Sequence, residues 1–330
     1  MQARGTDTKV RNVRAQESCS AGAKEDMRPE TAASVTHLAR LVRSAQDLPS
    51  ELRVLDLCTG TGCIPLLFHH EFYSAREDVR LRSLGIDVSN KAIRLARRNR
   101  SRLRDSKTSK SVAEFIMADV LVDPFADQSR GVNEPMPFKP ALNFFQKPPF
   151  WDILISNPPY ISPSAFRTTT TRSVRGFEPK LALVPPQGSG KTDTERGDAF
   201  YPMLLVAARD VEAKVVLLEV ADLHQALRVA RMAQQTRLFD GIEIWRDEPD
   251  QPNKSSAQEA YEFDVVGRGH GRSVLCWRGQ GAAWLGKDMK EVSDTKLSQA
   301  PLSSSLEPSF TIKFKKSKDE NTFEKKYRVK

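Results

Sequence analysis

Residues 151–161 read Trp-Asp-Ile-Leu-Ile-Ser-Asn-Pro-Pro-Tyr-Ile, and no other stretch restricts the fold as sharply. Trp151 to Ile155 form a short β-rich run, the pattern of a buried strand. Pro158 and Pro159 have no N–H to give a sheet and fix their own φ, so the strand stops before them and the loop beyond is stiff. The residue before a proline is held extended, which leaves the Asn157 amide projecting from the strand end. In an open α/β sheet that edge is where ligands bind. A fixed amide carries both donor and acceptor; beside proline carbonyls and Tyr160 it suits the gripping of a planar –NH₂ group. A plain β-turn with a surface tyrosine is the alternative, and the hydrophobic strand ahead of Asn-Pro-Pro-Tyr weighs against it.

The chain before this stretch alternates strands and helices. A helix is predicted from about Arg28 to Ala45, with Val35, Leu38, Leu41 and Val42 on one face. Leu52–Leu57 reads as a strand, Cys58-Thr59-Gly60-Thr61-Gly62 as its exit turn, and Cys63 to about His70 as a helix. The glycines let backbone approach a ligand at a helix N-terminus, and the absence of a following Lys-Ser/Thr argues against a phosphate-gripping loop. A second strand, Arg82–Val88, carries Gly85-Ile86-Asp87, with Ser89 or Asn90 capping the next helix. A third, Ala113–Met117, leads to Asp119 and Val120. Three successive strands thus end at or near Asp56, Asp87 and Asp119. Carboxylates at strand ends need hydrogen-bond donors, and a ribose diol and an adenine amino group would serve the last two.

Residues 124–150 interrupt the rhythm with six prolines and five phenylalanines and read as a loop insertion, partly packed through its aromatic rings. Thr168–Thr171, Arg172 and Arg175 read as flexible and basic, and 186–197 as a loop in which Gly188-Ser189-Gly190-Lys191-Thr192 is linker. A helix is then expected over Asp198–Asp210, a strand over Val215–Val220, a helix over Asp222–Gln235, and strands over Ile242–Trp245 and Ser273–Trp277. The last two form an antiparallel hairpin, since no helix separates them. A Gly-rich turn (Gly267, Gly269, Gly271) precedes the final strand. The domain reading is 1–27 as a disordered or targeting tail, 28–285 as the folded unit, and 286–330 as a basic, disordered tail. Residues 311–330 hold eight Lys/Arg against three acids. Together with a net charge of +9, that leaves RNA or ribosome contact as the sharper reading of the tail. No apolar run is long enough to span a membrane. The four cysteines lack metal-ligand spacing, which implies a reducing, intracellular setting without zinc or disulfides.

These motifs together resemble class I S-adenosylmethionine-dependent methyltransferases, and more closely the HemK/PrmC-like protein-(glutamine-N5) methyltransferases that modify peptide chain release factors. Arg28-Pro29-Glu30-Thr31 resembles that family's Pro-Arg-x-Glu-Thr segment. Asp56-Leu57-Cys58-Thr59-Gly60-Thr61-Gly62-Cys63-Ile64 resembles its first motif, and Gly85-Ile86-Asp87-Val88-Ser89 its second. Ser156-Asn157-Pro158-Pro159-Tyr160-Ile161 matches its catalytic signature. Glu178-Pro179, Leu181-Ala182-Leu183 and Asp198-x-x-Tyr201 resemble its downstream block. The resemblance covers roughly 27–279.

The resemblance implies an α/β, Rossmann-like class I methyltransferase fold: a mostly parallel seven-stranded sheet with an antiparallel C-terminal hairpin. It implies S-adenosyl-L-methionine as cofactor, with Cys58 to Gly62 (including Thr59, Gly60 and Thr61) around its methionine part, Asp87 at the ribose, Asp119 and Val120 at the adenine, and Asp56 and Asn157 also among the residues that bind it. Asn157, with the Pro158 carbonyl, would hold the target amide; Pro159 would stiffen the loop and Tyr160 shape the pocket. The amide nitrogen would displace the sulfonium methyl in line, without metal or covalent intermediate. The target implied is the glutamine of a release factor's Gly-Gly-Gln loop, in mitochondrion or cytoplasm. An N-methyltransferase acting on an amino group of DNA or rRNA bases stands beside it, as does a degenerate, non-catalytic member. Three departures stand out. Cys58 replaces a usual glycine, which a negative φ would accommodate. Val220-Ala221 replaces Ile-Gly. Residues 1–27 are too few for the family's N-terminal helical domain, so substrate docking is expected through another surface, or the substrate differs.

Overall fold

The computed structural model describes residues 27–102, 112–122, 135–186, 192–252 and 261–287, with strands at Ser309–Lys315 and Thr322–Arg328. Of the expected tail 1–27, residues 1–26 lie outside the described residues, as do Gly188–Lys191 of the linker Gly188–Thr192.

One sheet organises the fold. Its strands are β1 (Glu51–Leu57), β2 (Arg80–Asp87), β3 (Val112–Met117), β4 (Ile153–Ser156), β5 (Val215–Glu219), β6 (Gly241–Glu248), β7 (Asp264–Val266) and β8 (Arg268–Trp277), in the spatial order β3-β2-β1-β4-β5-β8-β6-β7. The five strands from β3 to β5 are parallel, and β8 is antiparallel to both β5 and β6. The order reverses between β1 and β4, so their carboxyl ends border the crevice of a doubly wound sheet. This is the doubly wound, Rossmann-like α/β architecture that was expected. It has eight strands where seven were expected, because the three-residue β7 adds to β6; a run that short carries no readable period-two pattern.

The strands are apolar on both faces because helices cover both. On β1, Leu52 and Val54 face one layer and Leu55 and Leu57 the other; on β5, Val215 and Leu217 oppose Val216 and Leu218. The first layer holds α1 (Pro29–Ser44) and α2 (Cys63–Tyr73), contributing Leu38, Val42, Phe68 and Phe72. The second receives α4 (Phe138–Phe144), α8 (Tyr201–Asp210) and α9 (Leu223–Gln235). Helix α3 (Asn90–Arg102) seats Ile93 and Ala96 beside Phe115.

Several expectations are corrected. Within 124–150, α4 forms where a loop was read. Pro137 is its N-cap and Pro140 lies in its first turn, where a missing N–H costs no helical bond, and Phe138, Ala141 and Leu142 are buried. Of the stretch read as flexible, Thr168 ends one short helix, α5 (Pro163–Thr168), and Arg172 and Arg175 lie in another, α6 (Arg172–Phe177). Ser162 and Thr171 cap them by accepting from the backbone N–H of Ala165 and Val174. In the loop 186–197, Thr192 and Glu195 form a reciprocal capping box that starts α7 (Asp193–Gly197). Gly269 and Gly271 belong to β8 rather than to a turn, at the register shifts opposite Trp245–Glu248. An unexpected helix, α10 (Gln280–Trp284), buries Trp284, whose indole N–H donates to the Asp47 carbonyl. In the tail read as disordered, β9 (Ser309–Lys315) and β10 (Thr322–Arg328) pair antiparallel, in keeping with the period-two spacing of Phe310, Ile312 and Phe314 in the sequence. Among the described residues no helix is long and apolar enough to cross a membrane.

Candidate active site

The register lines up Ile86, Leu57, Ser156 and Leu218 across β2, β1, β4 and β5. One residue further on, Asp87, Cys58, Asn157 and Glu219 therefore stand at a common edge. Ser156 stitches it by donating to the Leu57 carbonyl at 2.7 Å.

The turn after β1 is left-handed at Cys58, Gly60 and Gly62 (φ 63°, 53° and 77°). At Gly62, the N-cap of α2, a Cβ would come within 2.8 Å of the Phe115 ring and 2.9 Å of the Ala96 Cβ, so only glycine lets α3 and β3 approach this closely. Cys58 breaks the expectation of negative φ: the backbone path that suits a glycine is kept and the side chain takes the strain. A non-glycine residue there costs roughly 1–2 kcal/mol. Part of that is offset because glycine loses more chain entropy on folding, by about 0.5–1 kcal/mol. Cys58→Gly is therefore expected to stabilise the protein by roughly 0.5–1 kcal/mol, read as a higher urea midpoint at unchanged slope. A lower midpoint would mean that the contact of Cys58 with the core outweighs the strain.

Asp56 lies beneath this turn, fully buried; Thr59 donates to its Oδ2 at 2.5 Å, while Oδ1 has no hydrogen-bond partner among the described residues. Burial pushes its carboxyl well above the usual range, with the Thr59 bond opposing. Expected at the ligand surface, it sits instead one layer behind, holding Thr59. Asp87 links two turns: Oδ2 accepts from the Gly60 N–H at 2.9 Å and Oδ1 from the Ser89 N–H at 2.8 Å. Burial raises its carboxyl and these N–H groups pull it back. Each oxygen retains acceptor capacity for a further donor. Asp119 accepts from the Leu121 N–H at 2.8 Å and is flanked by α4 through backbone bonds to Met136 and Phe138, while Val120 is buried beside it. Cys58–Gly62, Asp87, Asp119 and Val120 thus follow one another along the ends of β1, β2 and β3.

Past β4, Asn157 is half-buried and Pro158, Pro159 and Tyr160 are buried. The Asn157 Nδ2 lies 3.5 Å from the Thr31 Oγ1. Thr31 donates to Glu219 Oε2 at 2.5 Å, and the Tyr160 hydroxyl donates to Glu219 Oε1 at 3.2 Å. Arg28 Nη1 donates to the Tyr160 oxygen at 3.0 Å and Nη2 reaches Glu178 at 3.5 Å. The Tyr201 hydroxyl donates to the Glu219 carbonyl at 2.9 Å. Burial drives the Glu219 carboxyl up to about 7 against the opposing pull of Thr31, Tyr160 and Arg28. Burial, with Glu219 beside it, also raises the Tyr160 phenol.

Glu219 is the residue that sequence reasoning missed. Its signal was present: a carboxylate ending the apolar run Val215–Leu218, as Asp56 and Asp87 end theirs. In the sequence, Arg28 and Thr31 belong to a motif that assigns them no role. The structure brings them to Asn157 and Tyr160 through the N-terminus of α1, where Pro29 occupies the first helical position and leaves Thr31 facing the sheet edge. Among the described residues, no three His, Cys, Asp or Glu side chains are grouped to hold a metal.

No family model matches the chain. It is 36% identical over 162 residues to the release factor glutamine methyltransferase of Chlorobaculum tepidum, covering 49% of this chain and 45% of that protein. It is 32% identical over 193 residues to the probable MRF1 mitochondrial N(5)-glutamine methyltransferase mtq1 of Schizosaccharomyces pombe, covering 58% and 55%. With the ribosomal protein uL3 glutamine methyltransferase of Xanthomonas campestris it shares 28% over 180 residues, 53% of this chain and 44% of that one. The chain spans about half the length of these curated relatives. Over those stretches it is similar to proteins named as glutamine methyltransferases, as its own motifs indicated.

Proposed function

We propose that this chain methylates the side-chain N5 of a glutamine in the Gly-Gly-Gln loop of a peptide chain release factor, using S-adenosyl-L-methionine. The observation that carries the proposal is the amide of Asn157 held at the switch-point edge, beside the left-handed turn Cys58–Gly62. The residues fit such a cofactor. A Cβ built on Gly60 meets nothing within 4 Å, so the turn presents bare backbone to open space, and Asp87 keeps acceptor capacity for a diol. Cys58–Gly62 would hold the methionine part, Asp87 the ribose, and Asp119 with Val120 the adenine, with Asp56 acting from behind through Thr59. When bound, the cofactor supplies an electrophilic methyl group on a sulfonium.

The chain's own residues supply alignment and polarity. A carboxamide nitrogen is a poor nucleophile because its lone pair is delocalised into the carbonyl. Acceptors at both of its hydrogens, the Asn157 oxygen and the Pro158 carbonyl, favour lone-pair density on nitrogen, and a stiff Pro-Pro loop holds that geometry without reorganisation. Tyr160, fixed between Arg28 and Glu219, walls the pocket.

The catalytic unit in this proposal is 28–285. Contact of 286–330 with RNA or the ribosome is a further proposal resting on charge alone. The name of the Schizosaccharomyces relative favours a mitochondrial setting over a cytoplasmic one, which fractionation of a tagged chain tests. The name of the Xanthomonas relative favours, as second reading, the same chemistry on a ribosomal-protein glutamine. Labelled methyl donor offered with purified release factor, uL3 protein, DNA and rRNA side by side discriminates them. Label on release-factor glutamine is the expected result. Label on nucleic acid, or on no substrate despite cofactor binding, would overturn the proposal.

A further inference from the structure

We propose that Glu219 is a positioning residue that sets, through Thr31, which way round the Asn157 carboxamide is presented; this deepens the reading of Asn157 as the amide-gripping group and rests on it. The argument is a count of hydrogens. An ionised carboxylate only accepts, and a threonine hydroxyl has one hydrogen. Thr31 gives that hydrogen to Glu219 Oε2 at 2.5 Å, so its oxygen can only accept from Asn157. Asn157 must then turn Nδ2 toward it, as it does at 3.5 Å. Its Oδ1 faces the other way and takes no hydrogen bond from the described residues. Tyr160 obeys the same logic, giving its hydrogen to Oε1 and accepting from Arg28. Every hydrogen along Arg28–Tyr160–Glu219 and Asn157–Thr31–Glu219 points toward the carboxylate. The amide polarity this imposes is the one that accepts from an –NH₂ group. Turned over, Asn157 would set its own –NH₂ against the substrate's.

Protonation of Glu219 removes the constraint. The carboxyl gains a donor, Thr31 can accept from it, and the freed threonine hydrogen can go to the Asn157 oxygen, inverting the amide. The groups around Glu219 place this change near neutrality. Arg28, which caps α1, and Glu30 in its first turn face it, as do Tyr160 from the loop after β4 and Tyr201 from α8, with Asp198 and Arg228 behind. Arg272 of β8 acts on Tyr160. Burial dominates and brings the carboxyl up to about 7, with Thr31, Tyr160 and Arg28 opposing and Glu30 adding to the rise. Because the shift is upward, the productive orientation holds above that value and is lost below it.

The test pairs kinetics with a readout that needs no turnover. Heteronuclear NMR follows the Asn157 side-chain amide, assigned by its loss in Asn157→Ala, across the pH range. In the wild-type chain its resonances are expected to shift with a midpoint near 7. They should not do so in Glu219→Gln or Thr31→Val, and should again in Thr31→Ser, which keeps the hydroxyl. Above neutral pH, Glu219→Gln and Thr31→Val are expected to lower kcat about tenfold with KM for the methyl donor within about twofold, because alignment rather than binding is lost. Thr31→Ser restores kcat. A purely structural role would leave the pH response in place. An Asn157 amide that titrates equally in Glu219→Gln and Thr31→Val, or one that never titrates, overturns the proposal. Titration of the expected kind in a chain that methylates no glutamine supports the relay while sinking the functional reading beneath it.

Discussion

Asn157→Ala is expected to lower the rate of methyl transfer by about 10²- to 10³-fold, the usual effect of removing one preorganised hydrogen-bonding group from a water-poor site. In the proposed mechanism the substitution deletes the acceptor for the substrate amide and little else. Asn157 is half-buried and its side-chain hydrogen bond to Thr31 is long at 3.5 Å, so the folded state loses little. Thermal unfolding should shift by less than about 2 °C, the size expected when well under 1 kcal/mol is at stake. The rise in Tm on adding the methyl donor should be nearly preserved, because the turn Cys58–Gly62 and Asp87 are untouched. Asn157→Asp is the sharper control. It keeps the shape and an acceptor but has no N–H for Thr31, whose hydrogen already belongs to Glu219, so two acceptors would face each other. Its rate should fall with that of the alanine variant. Initial rates with labelled donor, alongside melting with and without it, separate the possibilities. Activity within about tenfold of wild type for Asn157→Ala would remove the amide grip from the mechanism.

The sequence made this edge legible because its signals are local. Glycines at 60 and 62 and carboxylates at 87 and 119 each end a strand, and prolines at 158 and 159 stop another; strand exits impose those residue types whatever lies elsewhere. The support behind the edge was not legible, because it is assembled from distant parts of the chain. Thr31 and Glu219 are 188 residues apart, Arg28 and Tyr160 132, and Asn157 and Thr31 126. Periodicity showed that α1 exists and which face it buries; the strand end against which its first turn would rest is decided only by packing over β5 and β6. Proline misled within 124–150, since its meaning reverses between a helix interior and a helix first turn, and Pro140 is in the latter. Cys58 misled in the opposite sense. The turn keeps φ at +63° because the Thr59 N–H must reach the Ile86 carbonyl and the Gly62 N–H must reach that of Thr59, and those bonds fix the path before the side chain is consulted.

The departure at Val220-Ala221 has a physical resolution that leads to the second large expected effect. The Ala221 N–H donates to Gln225 Oε1 at 2.7 Å, and its carbonyl accepts from Arg272 at 2.8 Å. The loop after β5 is thus held at Ala221 through its backbone groups, whatever side chain stands there, while Val220 is buried in the core. The other end of the Gln225 amide reaches the Tyr160 carbonyl at 3.3 Å, the Gly197 carbonyl at 3.2 Å and Asp198 Oδ1 at 2.8 Å. One buried amide therefore ties the Pro-Pro-Tyr loop, the end of α7 and the start of α9 together. Gln225→Leu keeps the volume and removes all of it. Asp198 stays paired with Arg228 at 2.6 and 2.9 Å, but the Ala221 N–H and two carbonyls lose their partner inside the fold. At about 1–3 kcal/mol for each buried polar group left unpaired, and allowing for partial relaxation, the variant should be destabilised by on the order of 3 kcal/mol. For a domain of this size that lowers Tm by about 6–12 °C. Because Tyr160 loses its backbone anchor, the variant that does fold should also show a lower kcat at a nearly constant KM for the methyl donor. Gln225→Glu discriminates the cause: it retains an acceptor for Ala221 but brings a carboxylate against Asp198, and should be no better than leucine. A Gln225→Leu chain that melts within about 1 °C of wild type would mean that those backbone groups are satisfied without the amide, and the stiffness of the Asn157 loop would then have to come from Pro158 and Pro159 alone.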